Sequence, residues 1–297
     1  MIRVFRRDYP IFFHKTLMHP QAFKRLTWDL KAIVWTVMRI LLTNDDGLFA
    51  SGLAALHREL LSFGQVSVVA PEECQSGAGH SLTVREALVC SRQKVNHNLT
   101  GWAVRGRPAD CVKLAIRELL DGRPDLVVSG INAGANVGIN VIYSGTVAAA
   151  VEAAFFRIPA VAFSLEMGED QDEKQINESL QRAAGVAGQV LSQALQAGLV
   201  KGAVLNVNIP AGARPKGVRF VKQSTVGIDD RYQRCQNDKG QLCYTMSQEF
   251  KFNGSVLNTD VEALAEGYVS ITPLHFDLTN QEQLHILSDN QWCISNQ

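Results

Sequence analysis

The stretch Met38-Arg-Ile-Leu-Leu-Thr-Asn-Asp-Asp-Gly47 decides the fold of this chain. Its first half, Arg39–Thr43, is a short apolar run of the kind that forms a buried parallel strand. Apolar residues then recur at helical spacing through Ser51–Phe63, and Gly64 predicts the end of that helix. A buried strand followed by an amphipathic helix is the first half of a β-α-β unit.

The same alternation of strand and helix continues to about residue 215. Further buried strands are predicted at Val66–Ala70, Leu126–Val128, Ala160–Leu165 and Ala203–Ile209. Helices are predicted after Pro108 and over Ser144–Phe156 and Glu173–Ala197. Repeated β-α-β units predict an α/β fold, with a doubly wound, mostly parallel sheet and helices on both faces.

Beyond residue 215 the pattern changes to short strands. Antiparallel strands are predicted at Val218–Val221, Leu242–Ser247 and Glu249–Phe252, with polar turns such as Asn237–Gly240 between them. One more strand is predicted at Gly267–Thr272. The sequence therefore predicts a C-terminal antiparallel β-hairpin extension.

Composition excludes several classes of protein. The 297 residues are 46% hydrophobic and 20% charged, which is ordinary for a globular chain and excludes wholesale disorder. Basic and acidic residues both number 29, so bulk charge predicts no nucleic-acid polymer as partner. No apolar run reaches the roughly 18–20 residues that a membrane span needs. The six cysteines show no zinc spacing and are predicted to be reduced thiols in a cytoplasmic protein.

Residues 1–37 differ from the rest, with seven Lys and Arg residues against two acidic ones. A signal peptide would need a longer apolar core and a small-residue cleavage site, which this segment lacks. A basic amphipathic arm that binds a membrane or an acidic partner is a second interpretation. The third is an upstream start codon, with Met38 as the working start. The segment is therefore predicted as an N-terminal extension of uncertain status.

Polar residues follow three of the predicted strands at the points where ligands bind in open α/β sheets. These segments are Thr43–Gly47, Pro71–Gly77 and Ser129–Gly138. In the first, Asp45 and Asp46 are adjacent, and two close carboxylates repel unless a cation or a proton lies between them. A hard divalent cation such as Mg²⁺ or Mn²⁺ would suit such oxygen ligands. The alternative is an Asp-Gly turn whose acids cap the next helix.

The third segment adds the features of an anion site. Its three glycines, Gly130, Gly134 and Gly138, allow close approach of backbone N–H groups. Tyr143-Ser-Gly-Thr146 then opens an Ala-rich helix, and a helix start favours phosphate. The alternative is an N-cap followed by small residues that pack tightly. A cation site and an anion site on one edge of the sheet would suit phosphoryl chemistry. The motifs of P-loop NTPases, dinucleotide oxidoreductases, zincins and α/β-hydrolases are absent from the sequence.

Several motifs together resemble the SurE (stationary-phase survival protein) family. The resemblance extends in order from about Met38 to Thr279. Its motifs are Met38–Gly47, Ser76–Thr83, Gly106–Lys113, Val128–Asn136, Tyr143–Val147, Asn206–Asn208 and Glu266–Leu274.

The resemblance implies a Rossmann-like core with a C-terminal hairpin and tail that exchange between subunits, in a homodimer or homotetramer. The expected divisions are an extension at 1–37, a catalytic core at 38–215, and a hairpin and tail at 216–297. It also implies a metal-dependent phosphatase that acts on nucleoside 5′- and 3′-monophosphates and on some polyphosphate.

The resemblance further implies roles for individual residues, with one divalent cation, Mg²⁺ or Mn²⁺, as cofactor. The implied metal ligands are Asp45, Asp46, Ser76 and Asn132. The expected phosphate-binding residues are Asn44, Gly134, Ser144, Gly145 and Thr146.

The expected mechanism is direct attack by water, with Asp45 and Asp46 at the catalytic centre. An aspartyl-phosphate intermediate on Asp45 is the alternative. His80 is a candidate proton donor, or else a loop histidine that orders the backbone.

Two departures from the usual family pattern leave a second function open. The family usually has Gly-x-Asp-Val where this chain has Gly138-Ile-Asn-Val141, and Glu-Gly where it has Glu152-Ala153. Since Asn140 replaces an acid, a metal-poor paralogue that binds nucleotide without turnover is the alternative to an enzyme.

Overall fold

The computed structural model describes residues 37–168, 171–212, 214–226, 231–246, 256–290 and 292. The chain divides into two units, Met1–Val37 and Met38–Gln297, and the description below concerns the second. The extension predicted at 1–37, apart from Val37, and the strand predicted at Glu249–Phe252 lie outside the described residues.

Within the described residues, nine strands form the main sheet and two form a separate hairpin. The main-sheet strands are β1 (Met38–Thr43), β2 (Gly64–Pro71), β3 (Cys90–Lys94), β4 (Thr100–Val104), β5 (Leu126–Ala133), β6 (Ala160–Leu165), β7 (Val204–Ile209), β8 (Val218–Phe220) and β11 (Val269–Leu274). The hairpin strands are β9 (Tyr232–Gln236) and β10 (Leu242–Met246).

The helices alternate with these strands. They are α1 (Ser51–Leu60), α2 (Pro108–Leu114), α3 (Asn140–Tyr143), α4 (Gly145–Phe155), α5 (Glu173–Ala197), α6 (Asp260–Ala265) and α7 (Gln281–Ser288). A π-helical turn, Ala115–Leu119, continues α2.

The strand order β3-β4-β2-β1-β5-β6-β7-β11-β8 places β1 inside the sheet, paired in parallel with β2 and β5. Ile40 and Leu42 pack on one face with α1 and α5, while Leu41 packs on the other face with α2 and α4. The predicted doubly wound, mostly parallel α/β fold is confirmed. Because β1, β2 and β5 are parallel neighbours, the polar segments that follow them meet at one edge.

The C-terminal strands differ from the prediction in their pairing. Val218–Val221 was expected to be antiparallel, but β8 joins the main sheet and pairs in parallel with β11. In turn, β11 pairs antiparallel with β7, so the main sheet takes strands from both sides of residue 215. The hairpin itself is β9–β10, closed by the turn predicted at Asn237–Gly240.

The hairpin also corrects the prediction for the cysteines. Cys235 and Cys243 face each other across β9 and β10 and form a disulfide, so these two are not reduced thiols. Cys74, Cys90 and Cys111 are free thiols, as expected. Over the described part of the chain, every helix is too short or too polar to cross a bilayer.

The packing of α1 on β5 depends on the absence of a side chain at Gly52. A Cβ atom at that position would lie 2.1 Å from the carbonyl oxygen of Ile131. Gly185 on α5 is the matched opposite case, since a Cβ there would meet no atom within 4 Å.

We expect Gly52→Ala to lower the free energy of unfolding by about 1–3 kcal/mol, because the helix must move off the strand. The control Gly185→Ala should instead raise it by about 0.5–1 kcal/mol, as expected for an unobstructed helical glycine. Urea unfolding at constant slope measures both. Equal effects of the two substitutions would contradict the close approach.

Candidate active site

Asp45, directly after β1, lies against the first turn of α4. Its carboxylate accepts a hydrogen bond from the hydroxyl of Thr146, and its side chain is almost fully buried. A Cβ atom at Gly145 would lie 2.8 Å from the Cβ atom of Asp45 and 2.9 Å from its Oδ2 atom. The backbone carbonyl of Asp45 accepts from the N–H of Gln75 at 2.7 Å, which ties β1 to the segment after β2. The predicted helix start and the predicted acid are therefore in contact.

Burial dominates the electrostatics of the acidic pair, and the charge of Asp45 adds to it at Asp46. Burial raises the pKa of Asp45, while the Thr146 hydroxyl and the N–H groups of Thr146 and Gly145 oppose this rise. Burial, and then the charge of Asp45, raise the pKa of Asp46 to about 6, against the opposing N–H group of Ala133. A buried carboxylate whose charge destabilises the ionised form of its neighbour provides a setting for a cation.

Ser76 approaches this pair from the segment after β2. The sulfur of Cys74 lies 3.1 Å from the Ser76 hydroxyl oxygen and 4.0 Å from Oδ1 of Asp46. Ser76 and Asp46, which follow different strands, therefore lie next to the same thiol, that of Cys74. Sequence reasoning did not single out Cys74, although its position two residues before a predicted ligand was a usable signal.

Asn132 lies near the end of β5, the third of the strands whose ends meet here. Its Nδ2 atom donates to the carbonyl of Gly134 at 2.7 Å, which leaves its Oδ1 atom as the free end of the amide within the described chain. The hydroxyls of Thr43 and Ser129, opposite each other on β1 and β5, are buried with no hydrogen-bond partner among the described residues. Unpaired buried oxygens at the edge that carries Asp45 call for an unseen polar occupant or water.

These observations fit a hard divalent cation. The donor set of Asp45, Asp46, Ser76 and Asn132 is entirely oxygen, as Mg²⁺ and Mn²⁺ prefer. Across the residues that the structure describes, no three His, Cys, Asp or Glu side chains are grouped so that they could hold a metal. A metal here would therefore need the hydroxyl and the amide as well as the two carboxylates.

The predicted phosphate-binding residues are engaged in local hydrogen bonds. The amide of Asn44 closes its turn, donating to the carbonyl of Gly47 at 2.9 Å and accepting from the N–H of Gly47 at 3.2 Å. The hydroxyl of Ser144 caps α4 by accepting from the N–H of Val147 at 3.1 Å. The N–H of Gly134 donates to the carbonyl of Leu165. The first turn of α4, at Gly145 and Thr146, already faces an anionic oxygen, that of Asp45.

The glycine-rich segment after β5 is held from its far side. The carbonyl of Asn136 accepts from Asn206 at 2.8 Å and from Asn208 at 3.1 Å, and its N–H donates to Asn208 at 2.7 Å. The N–H of Gly138 donates to the buried carboxylate of Asp260 at 2.9 Å. Asp260 was not predicted, because nothing in the sequence connects α6 with a segment 122 residues earlier.

His80 joins a buried ion pair on α4. Its Nε2 atom lies 2.8 Å from Oε2 of Glu152, and Nζ of Lys113 lies 3.1 Å from Oε1 of the same carboxylate. The imidazole stacks on Phe155. Burial opposes the ionisation of Glu152, but the hydrogen bonds and charges of His80 and Lys113 outweigh it and lower the pKa of Glu152. The segment that contains Ser76 and His80 is thereby fixed to α4.

The fold and the acidic pair define a class: an α/β protein whose doubly wound sheet carries two adjacent carboxylates, one of them buried against a helix N-terminus. Residues 40–230 match the family described as Survival protein SurE. The chain belongs to the SurE family.

Two relatives are both named 5′-nucleotidase SurE. The one from Syntrophobacter fumaroxidans is 41% identical over 252 residues, which cover 84% of this chain and 98% of the relative. The one from Rhodopirellula baltica is 43% identical over 255 residues, which cover 85% and 98%. The crystal structure of the SurE protein from Aquifex aeolicus is 36% identical, covers 84% of this chain and 100% of its own, and superposes with a TM-score of 0.69.

The Glu152 ion pair makes a pH-dependent prediction. Glu152→Gln should lower the free energy of unfolding at pH 7 by about 1–3 kcal/mol, because Lys113 and His80 lose a buried charged partner. A carboxylate with a lowered folded-state pKa stabilises the fold above its unfolded-state pKa and loses this effect as pH falls. The difference from wild type should therefore shrink below pH 4.5, the ordinary value for glutamate.

Urea unfolding from pH 7 to pH 4 measures this difference. Glu178→Gln is the control, since Glu178 is exposed on α5 and has no ion pair among the described residues. It should change stability by less than about 0.5 kcal/mol throughout. A Glu152→Gln difference that does not vary with pH would rule out the charge as the cause.

Proposed function

We propose that the protein is a metal-dependent 5′-nucleotidase, a phosphoric monoester hydrolase that releases nucleoside and phosphate from nucleoside monophosphates. The observation that carries the proposal is the contact between Asp45 and the first turn of α4, with Asp46 beside it. This contact unites a set of oxygen donors suited to a cation with a helix start suited to a phosphate. The names of the two relatives agree with this activity.

The proposed cofactor is one divalent cation, Mg²⁺ or Mn²⁺, held by Asp45, Asp46, Ser76 and Asn132. When bound, such a cation would supply Lewis-acid chemistry, which offsets phosphate charge and makes water a stronger nucleophile. The buried pair accounts for a requirement of this kind, because Asp45 raises the pKa of Asp46 in the metal-free chain.

The proposed phosphate site is Ser144, Gly145 and Thr146, with Asn44 and Gly134 on the adjoining segments. The partial positive charge of the α4 N-terminus would stabilise the negative charge of the transferring phosphoryl group. Asn44 and Gly134 would act by fixing the backbone around it. The amide of Asn44 is already bonded within its own turn, and the N–H of Gly134 is bonded to the carbonyl of Leu165 on β6. Ser144 would orient the first turn through its capping bond.

Direct attack by water remains the proposed route, with the aspartyl-phosphate route ranked below it. An attacking carboxylate needs a free lone pair and a path to phosphorus. The Asp45 carboxylate is buried and bonded to Thr146, which disfavours it as a nucleophile. Asp45 and Asp46 would therefore act as ligands that position the water and the phosphate.

His80 is retained as the proposed proton donor to the leaving group, with one added constraint. Since its Nε2 atom faces the Glu152 carboxylate, which only accepts hydrogen bonds, that nitrogen carries a proton whether the imidazole is neutral or charged. Only Nδ1 of the imidazolium could then donate to a leaving oxygen.

The remaining parts of the proposal concern specificity, assembly and location. Hydrolysis of 3′-monophosphates and short polyphosphate is proposed as secondary activity of the same site. A homodimer or homotetramer is proposed because apolar side chains of the hairpin and of α7 are exposed in the single chain. These side chains are Tyr232, Leu242, Tyr244, Met246, Leu284 and Ile286.

We also propose a cytoplasmic location, where nucleoside monophosphates are available. In a reducing compartment the Cys235–Cys243 pair would be open, so its redox state in cell extracts would test this assignment.

The first test of the function is phosphate release from a panel of nucleoside monophosphates, with Mn²⁺, Mg²⁺ or EDTA. We expect metal-dependent release that Asp45→Asn and Asp46→Asn reduce at least about 100-fold, because each removes a charged ligand. The control Asp238→Asn, in the exposed hairpin turn, should keep full activity. No release with any metal from folded protein, together with thermal stabilisation by nucleotide, would replace the enzyme with the non-catalytic nucleotide-binding paralogue.

The second test concerns the space at the start of α4. Gly145→Ala should displace Asp45, because the new Cβ would meet its side chain and also Cγ of Pro108 at 3.1 Å. We expect kcat to fall about 10- to 100-fold, as for other misplacements of about 1 Å, and Mn²⁺ affinity measured by calorimetry to fall with it. Gly185→Ala should leave both unchanged. If folded Gly145→Ala bound Mn²⁺ with unaltered affinity, Asp45 would not be a metal ligand.

A further inference from the structure

A second polar cavity lies at the opposite edge of the main sheet, where β1, β2 and β4 begin. Its volume is about 450 Å³, within the range of small-molecule sites. The π-helical turn after α2 ends beside it, at Leu119 and Leu120. The strand face that α2 and α4 cover elsewhere is therefore open here.

Strand alternation directs the lining side chains to this one face. Arg39 is in register with Gln65, and Arg92 is in register with Trp102. Arg39, Gln65 and Trp102 are two or four residues from Leu41, Val69 and Val104 on the same strands. They therefore point to the face that the helices bury further along. The floor of the cavity, the part formed by these strands, is polar because it lies beyond the hydrophobic core. It consists of Arg39, Gln65, Ser67, Arg92, Thr100 and Trp102.

The two guanidinium groups are the chemically distinctive part of the cavity. Among the described residues, neither Arg39 nor Arg92 makes an ion pair with a carboxylate. The Arg39 guanidinium lies directly against Gly122, and Asp125 accepts from the backbone N–H of Arg39 instead. Asp121 also lines the cavity. The two arginines and this one aspartate give the cavity a formal charge of +1.

We propose that this cavity binds a small phosphate-bearing ligand of about mononucleotide size. Guanidinium groups match phosphate oxygens in a two-pronged geometry, and the hydroxyls of Ser67 and Thr100 are additional donors on the same floor. Trp102 presents an indole ring against which a base or other planar group can pack. Inorganic phosphate and a nucleotide share this phosphate chemistry.

This site is distinct from the proposed active site. Arg39 is at the start of β1 and Asp45 follows its end, six residues apart in the sequence, so about 20 Å of extended strand separate them. The proposal needs neither the cation nor hydrolysis, so it stands or falls independently of the nucleotidase activity.

The test is titration of the full chain with AMP, inorganic phosphate or adenosine in EDTA, followed by calorimetry and by tryptophan fluorescence. We expect AMP to bind and to change the fluorescence, with the change lost in Trp102→Phe. Arg92→Gln and Arg39→Gln should each weaken AMP binding about tenfold through loss of a charge-assisted hydrogen bond. Arg92→Lys, which retains the charge without the planar fork, should weaken it less.

Three comparisons decide the outcome. Arg182→Gln, an exposed arginine on α5 at the other face of the sheet, should bind AMP as wild type does. Binding of inorganic phosphate would identify the anion alone as sufficient, while binding of AMP without phosphate binding would assign a nucleotide. The proposal is overturned if adenosine binds as tightly as AMP, or if folded Arg39→Gln and Arg92→Gln bind AMP unchanged.

Discussion

The hydrogen bond from the Thr146 hydroxyl to the Asp45 carboxylate connects the central strand to the start of α4. The positive end of a helix stabilises a nearby carboxylate, so this contact offsets part of the free-energy cost of burying Asp45. Gly145 permits it, since any side chain at that position would occupy the place of the carboxylate. The position of Asp45, a proposed cation ligand, and that of the helix start are therefore a single constraint, and neither can move without the other.

That constraint extends into the C-terminal half of the chain. Asn206 and Asn208 on β7 and Asp260 on α6 hold the backbone of the segment that directly follows β5, the strand that bears Asn132 near its end. A glycine-rich segment on its own would sample many conformations, and buried side-chain bonds to its backbone select one of them. The residues after 215 thus contribute to the site through Asp260 on α6.

The local sequence pattern predicted the helices and strands whose apolar residues are buried along most of their length. The bounds of α5 at Glu173 and Ala197 and of β6 at Ala160 and Leu165 match the prediction, because apolar periodicity and terminal signals agree there. The strands β3 and β4 were not predicted. For β3 the reason is that it is an exposed, polar edge strand with no alternating apolar face. The direction of β8 could not be predicted either, because three exposed or half-buried residues carry no information about their partner strand.

The polar residues at the two ends of the strands differ because helices begin at one end and finish at the other. At the carboxyl edge, helices begin and their N–H groups favour anions, so the phosphate site proposed at Ser144, Gly145 and Thr146 needs no arginine. At the amino edge helices end, and the partial negative charge of the terminus after α2 opposes an anion. A phosphate at that edge must therefore be attracted by full charges, which is what Arg39 and Arg92 supply. The choice of small hydroxyl residues at one edge and arginines at the other follows from the direction of the helices between them.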